Sequence, residues 1–271
     1  MAICREKMSA AAEKADVITV SHYHFDHHTP SYTDWFCNWS SAGIARGIYE
    51  GKQLLVKNHR TKINPSQRRR GWLFTKTGGK HGEKLVFADG KTFEFGDTKL
   101  RFWDPVFHGI GNSALGWVLM ITVEHEDERV LFTSDVQGPM HTPTLESILS
   151  ENPQLVIVGG PPTYLSGFRV EEEHVKQGLG NLETLVKRVP VTILGHHLLR
   201  DDNWRAQSEA IFDAAERAGH KVATAAEFVG EKDNPLESHR RLLYENEPPD
   251  QQFEEWLKLP ILKRKKTRPP V

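Results

Sequence analysis

The stretch that most constrains this chain is Val17-Ile-Thr-Val-Ser-His22-Tyr-His24-Phe-Asp26-His27-His28. Its β-branched start, Val17–Val20, reads as a short buried strand, and the residues that follow leave that strand at its C-terminal end. Alternate side chains of an extended backbone share a face, so His22, His24 and Asp26 are expected to project to one side. His27 then turns back as the chain leaves the strand. Two imidazoles and a carboxylate–imidazole pair within six residues suit two neighbouring divalent cations of the zinc class. The competing reading is an incidental surface cluster of histidines, which four ligands in register at a strand exit disfavour.

Composition narrows the class. With 38% hydrophobic and 26% charged residues over 271, the chain reads as a soluble globular protein long enough for one large domain or two small ones. No apolar run is long enough to cross a bilayer, and the start Met1-Ala-Ile-Cys-Arg-Glu-Lys is charged where a signal peptide needs an apolar core. The expectation is a cytoplasmic protein with no membrane partner. Cys4 and Cys37 lack the spacing of a thiolate zinc site or a disulfide framework. The net charge of −1 gives no global field that would select nucleic acid, whereas 14 histidines make imidazole the available ligand chemistry.

His22-x-His24-x-Asp26-His27 resembles the signature of the metallo-β-lactamase superfamily of metal-dependent hydrolases. Three later segments fit that resemblance in order. Lys99–Trp103 and Gly116–Val123 read as strands flanking a His-Gly loop, which matches His108 to the third motif. Arg129-Val-Leu-Phe-Thr-Ser-Asp135 is an apolar strand ending in the carboxylate that would bridge both metals. Val191-Thr-Ile-Leu-Gly-His196-His197 repeats the theme of strand into histidine. Strand length favours His196 as the ligand and His197 as a proton-transfer group, though the residues alone leave the pair open. The resemblance therefore implies His22, His24 and His108 on one metal, Asp26, His27 and His196 on the other, and Asp135 between them. It implies two divalent ions, zinc first with manganese or iron as alternatives, and a bridging hydroxide as nucleophile, with Asp26 and His197 as catalytic groups.

The implied fold is α/β, a four-layer αββα metallo-β-lactamase-like sandwich over residues 1–230. Residues 231–271 read as a C-terminal charged helical extension ending in a solvated basic tail, Lys263-Arg-Lys-Lys266. The superfamily places one or two hairpins ahead of the first motif, whereas here only one helix, near residues 5–15, precedes it. The expectation is a chain truncated at its N-terminus, and a homodimer is one way to cover the sheet edge so exposed. The segments 22–30, 63–70, 160–165 and 196–201 also resemble an archaeal family of uncharacterised metallo-hydrolases, whose members are longer at the N-terminus.

Substrate class rests on less. Lys57–Trp72 reads as a basic loop holding Arg68, Arg69 and Arg70, with guanidinium forks that match phosphate oxygens. The aromatic cluster Trp35, Phe36 and Trp39 is either packing or a wall beside the metals. Leu85–Phe95, with Asp89-Gly90 at its centre, reads as a hairpin. The favoured function is hydrolysis of a phosphodiester or other anionic substrate, small-molecule or nucleotide-type, with nucleic acid as a further partner. Alternatives are a carboxyl-ester, thioester or lactone hydrolase with the same metals, or a metal-binding protein without catalysis.

Overall fold

Strands β1 (Val17–Val20), β2 (Gln53–Val56) and β3 (Lys84–Phe87) pair in parallel, in the order β1-β2-β3. Parallel neighbours need crossover connections, which here contain the helices Ala42–Tyr49 and Pro65–Lys76. Ser41 caps the first by accepting the Ile44 N–H. Asn64 caps the second by accepting the Gln67 N–H at 2.8 Å, and Pro65 occupies the first turn, where its missing N–H costs nothing. The basic stretch expected as a loop is thus largely helical from Pro65, because cap and proline outweigh the charge pattern. Val20, Tyr49, Leu54, Val56 and Phe74 are buried together in one core.

The computed structural model describes residues 2–270, and the chain divides into two units. The sheet β1–β3 lies in the first, which holds residues up to Ala88 and those from Tyr244 onward; the second holds residues 89–243. In the second, β4 (Thr92–Phe95), β5 (Thr98–Phe102), β6 (Val106–Phe107), β7 (Trp117–Val118), β8 (Ile121–His125), β9 (Glu128–Phe132), β10 (Leu155–Val158), β11 (Val191–Leu194) and β12 (Lys221–Thr224) follow one another. Seven of them form a sheet ordered β12-β11-β10-β9-β8-β5-β4, and β6 pairs with β7 alone. The pairs from β9 to β12 are parallel and those from β9 to β4 antiparallel. Leu131, Val156, Leu182, Leu185 and Leu194 belong to this unit's separate core. Among the described residues no helix is long and apolar enough to cross a membrane.

Three local expectations are corrected. The 85–95 segment is no hairpin: β3 pairs with β2 in one sheet, and β4 with β5 in the other. Gly90 does adopt the positive φ of 65° that Asp-Gly favours, but it directs the chain from one sheet to the next. The strand expected over 116–123 breaks into β7 and β8 at Leu119-Met120, both fully buried. Lastly, the basic tail is not free in solvent. It forms a helix, Ile261–Lys266, whose Lys265 carbonyl accepts the Trp35 N–H at 3.0 Å and whose Arg264 stacks 4.2 Å over Phe36. Trp256 is buried, donates to the Thr267 carbonyl at 2.9 Å and meets Phe36 at 6.1 Å. The aromatic cluster is a docking face for the chain's own C-terminal helices.

Close packing also sets one glycine. A Cβ on Gly71 would stand 2.5 Å from the Tyr23 ring and 2.6 Å from His59 Cβ, whereas one on Gly47 would meet nothing within 4 Å. Gly71→Ala should lower unfolding free energy by about 1–3 kcal/mol, and Gly47→Ala should raise it by about 0.5–1 kcal/mol. Urea unfolding midpoints that move in the same direction for both would refute this packing account.

Candidate metal centre

Two groups of His and Asp side chains leave strand ends, one in each unit. In the first, β1 ends at Val20, and the chain stays extended only as far as His24. Tyr23 points into the core while His22 and His24 lie together, with ring centroids 4.7 Å apart and donor atoms within 4.8 Å. From there the chain turns, since the His27 N–H donates to the His24 carbonyl at 3.1 Å. The turn brings the His27 ring to 4.5 Å from His22 and leaves Asp26 64% exposed, 3.7 Å from His27 Nε2. Asp26 therefore sits in a turn rather than at the third alternate position of a strand.

The neighbouring helix holds this motif. Gln67, fully buried, accepts the Tyr23 N–H through Oε1 at 3.1 Å, and its amide nitrogen lies 3.2 Å from His24 Nε2. Such a partner fixes the orientation of a ligating ring. Sequence reading missed Gln67; its signal is a polar residue on the buried face that also carries Gly71 and Phe74. Arg70, on the same face, stacks 4.2 Å over Phe25. Arg68 and Arg69 point elsewhere, beside His59, Arg60 and Trp72. The three arginines predicted to act together are thus divided between two surroundings.

The second unit gathers its group around one carboxylate. Asp135 follows β9 after Ser134, whose φ of 59° is rare for a residue with a side chain and bends the chain sharply. His108 Nε2 lies 2.7 Å from Asp135 Oδ2; His197 Nε2 and His196 Nε2 lie 2.7 Å and 3.2 Å from Oδ1. Asp135, His108 and His197 are buried, while the His196 side chain is 41% exposed. The ribbon β6–β7 holds His108, whose N–H donates to the Gly116 carbonyl at 3.0 Å and whose carbonyl accepts the Gln137 N–H at 2.8 Å. The histidine pair follows β11 on a turn in which His197 and Leu198 N–H groups both donate to the Gly159 carbonyl. A Cβ at Gly159 would stand 2.8 Å from the Val136 carbonyl oxygen, so this turn requires glycine. Thr163 donates to Asp201 at 3.0 Å and Arg200 to the Tyr164 hydroxyl at 3.2 Å, tying the 160–165 and 196–201 segments together.

Burial lowers the His197 pKa, against the opposing hydrogen bond and charge of Asp135. That favours the neutral imidazole, whose Nε2 can donate to Asp135 Oδ1. Imidazole and carboxylate donors converging within hydrogen-bond distance form the N/O set that zinc, iron and manganese accept.

The chain has mixed α/β sheets with His and Asp side chains following their strand ends, the arrangement expected of the metallo-β-lactamase fold. Among solved structures the chain is similar to CmlA, a diiron β-hydroxylase from Streptomyces venezuelae, with a TM-score of 0.50 and 13% identity. That match covers 78% of this chain but only 44% of CmlA, and it bears on the fold alone. The metallo-β-lactamase fold protein YhfI from Bacillus subtilis gives a TM-score of 0.48 at 16% identity, covering 83% of this chain and 81% of that one. No family model matches the chain. It is, however, 41% identical over 236 residues to a UPF0282 protein of Methanopyrus kandleri, covering 87% of this chain and 79% of that protein. A UPF0282 protein of Thermococcus sibiricus is 40% identical over 244 residues, 90% of this chain and 77% of its own length. The chain belongs to the UPF0282 family.

The motif also carries a pH-dependent element. His28 donates from Nδ1 to the His24 carbonyl at 2.9 Å, and burial, only partly offset by that bond, lowers its pKa to about 4. Because the folded value lies below the unfolded 6.5, stability is complete above pH 6.5 and falls as pH drops through 4. Metal-free protein should lose about 3 kcal/mol more between pH 7 and pH 4 than its His28→Asn variant. Equal losses in urea unfolding would refute the assignment.

Proposed function

We propose that this protein is a metal-dependent hydrolase acting on a phosphodiester or another anionic substrate. One observation carries the reading: three imidazoles face one buried carboxylate, Asp135. In this reading His22, His24 and His108 would hold one cation, Asp26, His27 and His196 would hold the second, and Asp135 would contribute its carboxylate to the site. Divalent cations, zinc first with manganese or iron as alternatives, supply Lewis acidity and make water nucleophilic near neutral pH.

The chain's own residues do the rest. The exposed carboxylate of Asp26 orients the attacking water and accepts its proton. His197 donates from Nε2 to Asp135 Oδ1, steadying that carboxylate, and in this reading its ring would take up the proton collected by Asp26 and pass it to the leaving group. Gln67 keeps His24 in one orientation. Two carboxylates leave two divalent cations with excess positive charge, which favours anionic substrates. Arg68, Arg69 and Arg70 add cationic groups along the helix next to the motif.

A second reading, hydrolysis of a carboxyl ester, thioester or lactone, draws on a cavity of about 780 Å³ in the first unit. Met8, Ile18, Phe25 and Ile48 give it an apolar wall beside Asp26 and His27, suited to an acyl chain. Turnover of generic phosphodiester substrates with little turnover of esters is expected; the reverse would favour the acyl reading. Protein purified without chelator should carry about two metal equivalents per chain, and the His24→Ala/Asp135→Ala double variant should lose metal and turnover together. Full metal content in that variant would refute the ligand set, and metal without any turnover would leave a binding protein. Gln67→Met, which keeps volume but removes the amide, should weaken metal affinity about 10–100-fold, measured by chelator competition.

A further inference from the structure

The helix Pro65–Lys76 has a second face that the metal centre does not use. Its buried face carries Gln67, Gly71 and Phe74, with Arg70 alongside. Pro65, Arg68, Arg69 and Trp72 fall at helical spacing on the other side. With His59 and Arg60 they line a groove of about 520 Å³, within the size range of small-ligand sites.

Three features of the groove point to one chemistry. First, among the described residues no carboxylate pairs with the guanidinium groups of Arg60, Arg68 or Arg69, so three forked cations face one opening. Such forks match phosphate oxygens. Second, Trp72 is 52% exposed among them, and an indole held in water beside arginines is a stacking platform. Third, His59 is only 6% exposed, and its buried Nδ1 has no hydrogen-bond partner among the described residues. Burial, followed by the charges of Arg60, Arg68, Lys57 and Lys76, lowers its pKa and reports the positive field there. Fixed cations alone would equally suit an acidic protein surface. The half-exposed indole between them favours a ligand that carries both phosphates and flat bases.

We propose that this groove binds single-stranded nucleic acid, with phosphates on Arg60, Arg68 and Arg69 and a base stacked on Trp72. The proposal rests on the anionic-substrate reading above and names its substrate class. The helix that forms the groove also holds His24 through Gln67, so a strand lying here is about one helix diameter, ~10 Å, from the motif. The groove grips the strand away from the bond that is cut.

The test uses full-length protein and a fluorescein-labelled oligothymidylate 12-mer read by anisotropy, with poly-glutamate and inorganic phosphate as competitors. Binding is expected to weaken with salt, and Arg68→Gln/Arg69→Gln should make the log–log salt slope shallower by about 1.4. Trp72→Ala should weaken binding about 5–150-fold, with much of the loss restored by Trp72→Phe. Metal content should equal wild type in all three variants, which also verifies that they fold. Competition by poly-glutamate as effective as unlabelled oligonucleotide, with no effect of Trp72→Ala, would overturn the proposal in favour of an acidic protein partner. Absence of oligonucleotide binding at low salt would overturn it outright. If binding fails while metal and phosphodiester turnover persist, only the groove is wrong; if binding holds without metal or turnover, only the hydrolase reading is wrong.

Discussion

A buried carboxylate facing three imidazoles is the interaction on which the second unit depends. An ionised Asp135 without partners would be expensive to remove from water, and His108, His196 and His197 are the groups that offset that cost. Holding three rings on one carboxylate requires that the loops carrying them be fixed. The Gly159 carbonyl clamps the histidine turn, the β6–β7 ribbon clamps His108, and Ser134 bends the chain into Asp135. Each device stores or spends stability to aim a side chain, as functional sites commonly do.

The first unit applies the same logic through a helix. Gln67 and Arg70 reach the motif from one face, and Gly71 lets that face approach Tyr23 closely. A helix brought this near must present its remaining residues outward, which is why Arg68, Arg69 and Trp72 form a separate groove. One packing requirement thereby creates both the support for His24 and a cationic surface beside it.

Much of the fold was legible. Apolar runs announced β1, β9, β10 and β11, and the parallel order of β9, β10 and β11 places Asp135 and the histidine pair along one edge of the sheet, two strands apart. This is where α/β sheets generally carry their sites. Pairing was less legible. Asp89-Gly90 has real turn chemistry, yet nothing local tells whether a turn closes a hairpin or leads to another sheet, because the partner strand is distant in sequence. The tail misled for a similar reason: Arg264 and Lys265 read as solvated until Phe36 and Trp35, more than two hundred residues earlier, supply a ring and an amide to receive them.

His22, His24 and His27, then His108, Asp135 and the His196-His197 pair, were legible in the sequence as imidazole and carboxylate groups following apolar strand segments, whereas the turn that carries Asp26 was not. The alternation of a strand and the chemistry of imidazole and carboxylate are local properties. What only the tertiary structure decided is which groups these donors meet. It set Gln67 against His24, brought both His196 and His197 to Asp135 with His197 the nearer, and turned Arg70 away from Arg68 and Arg69. Those outcomes depend on helix faces and loop clamps joining residues far apart along the chain, and spacing within a motif carries no record of them.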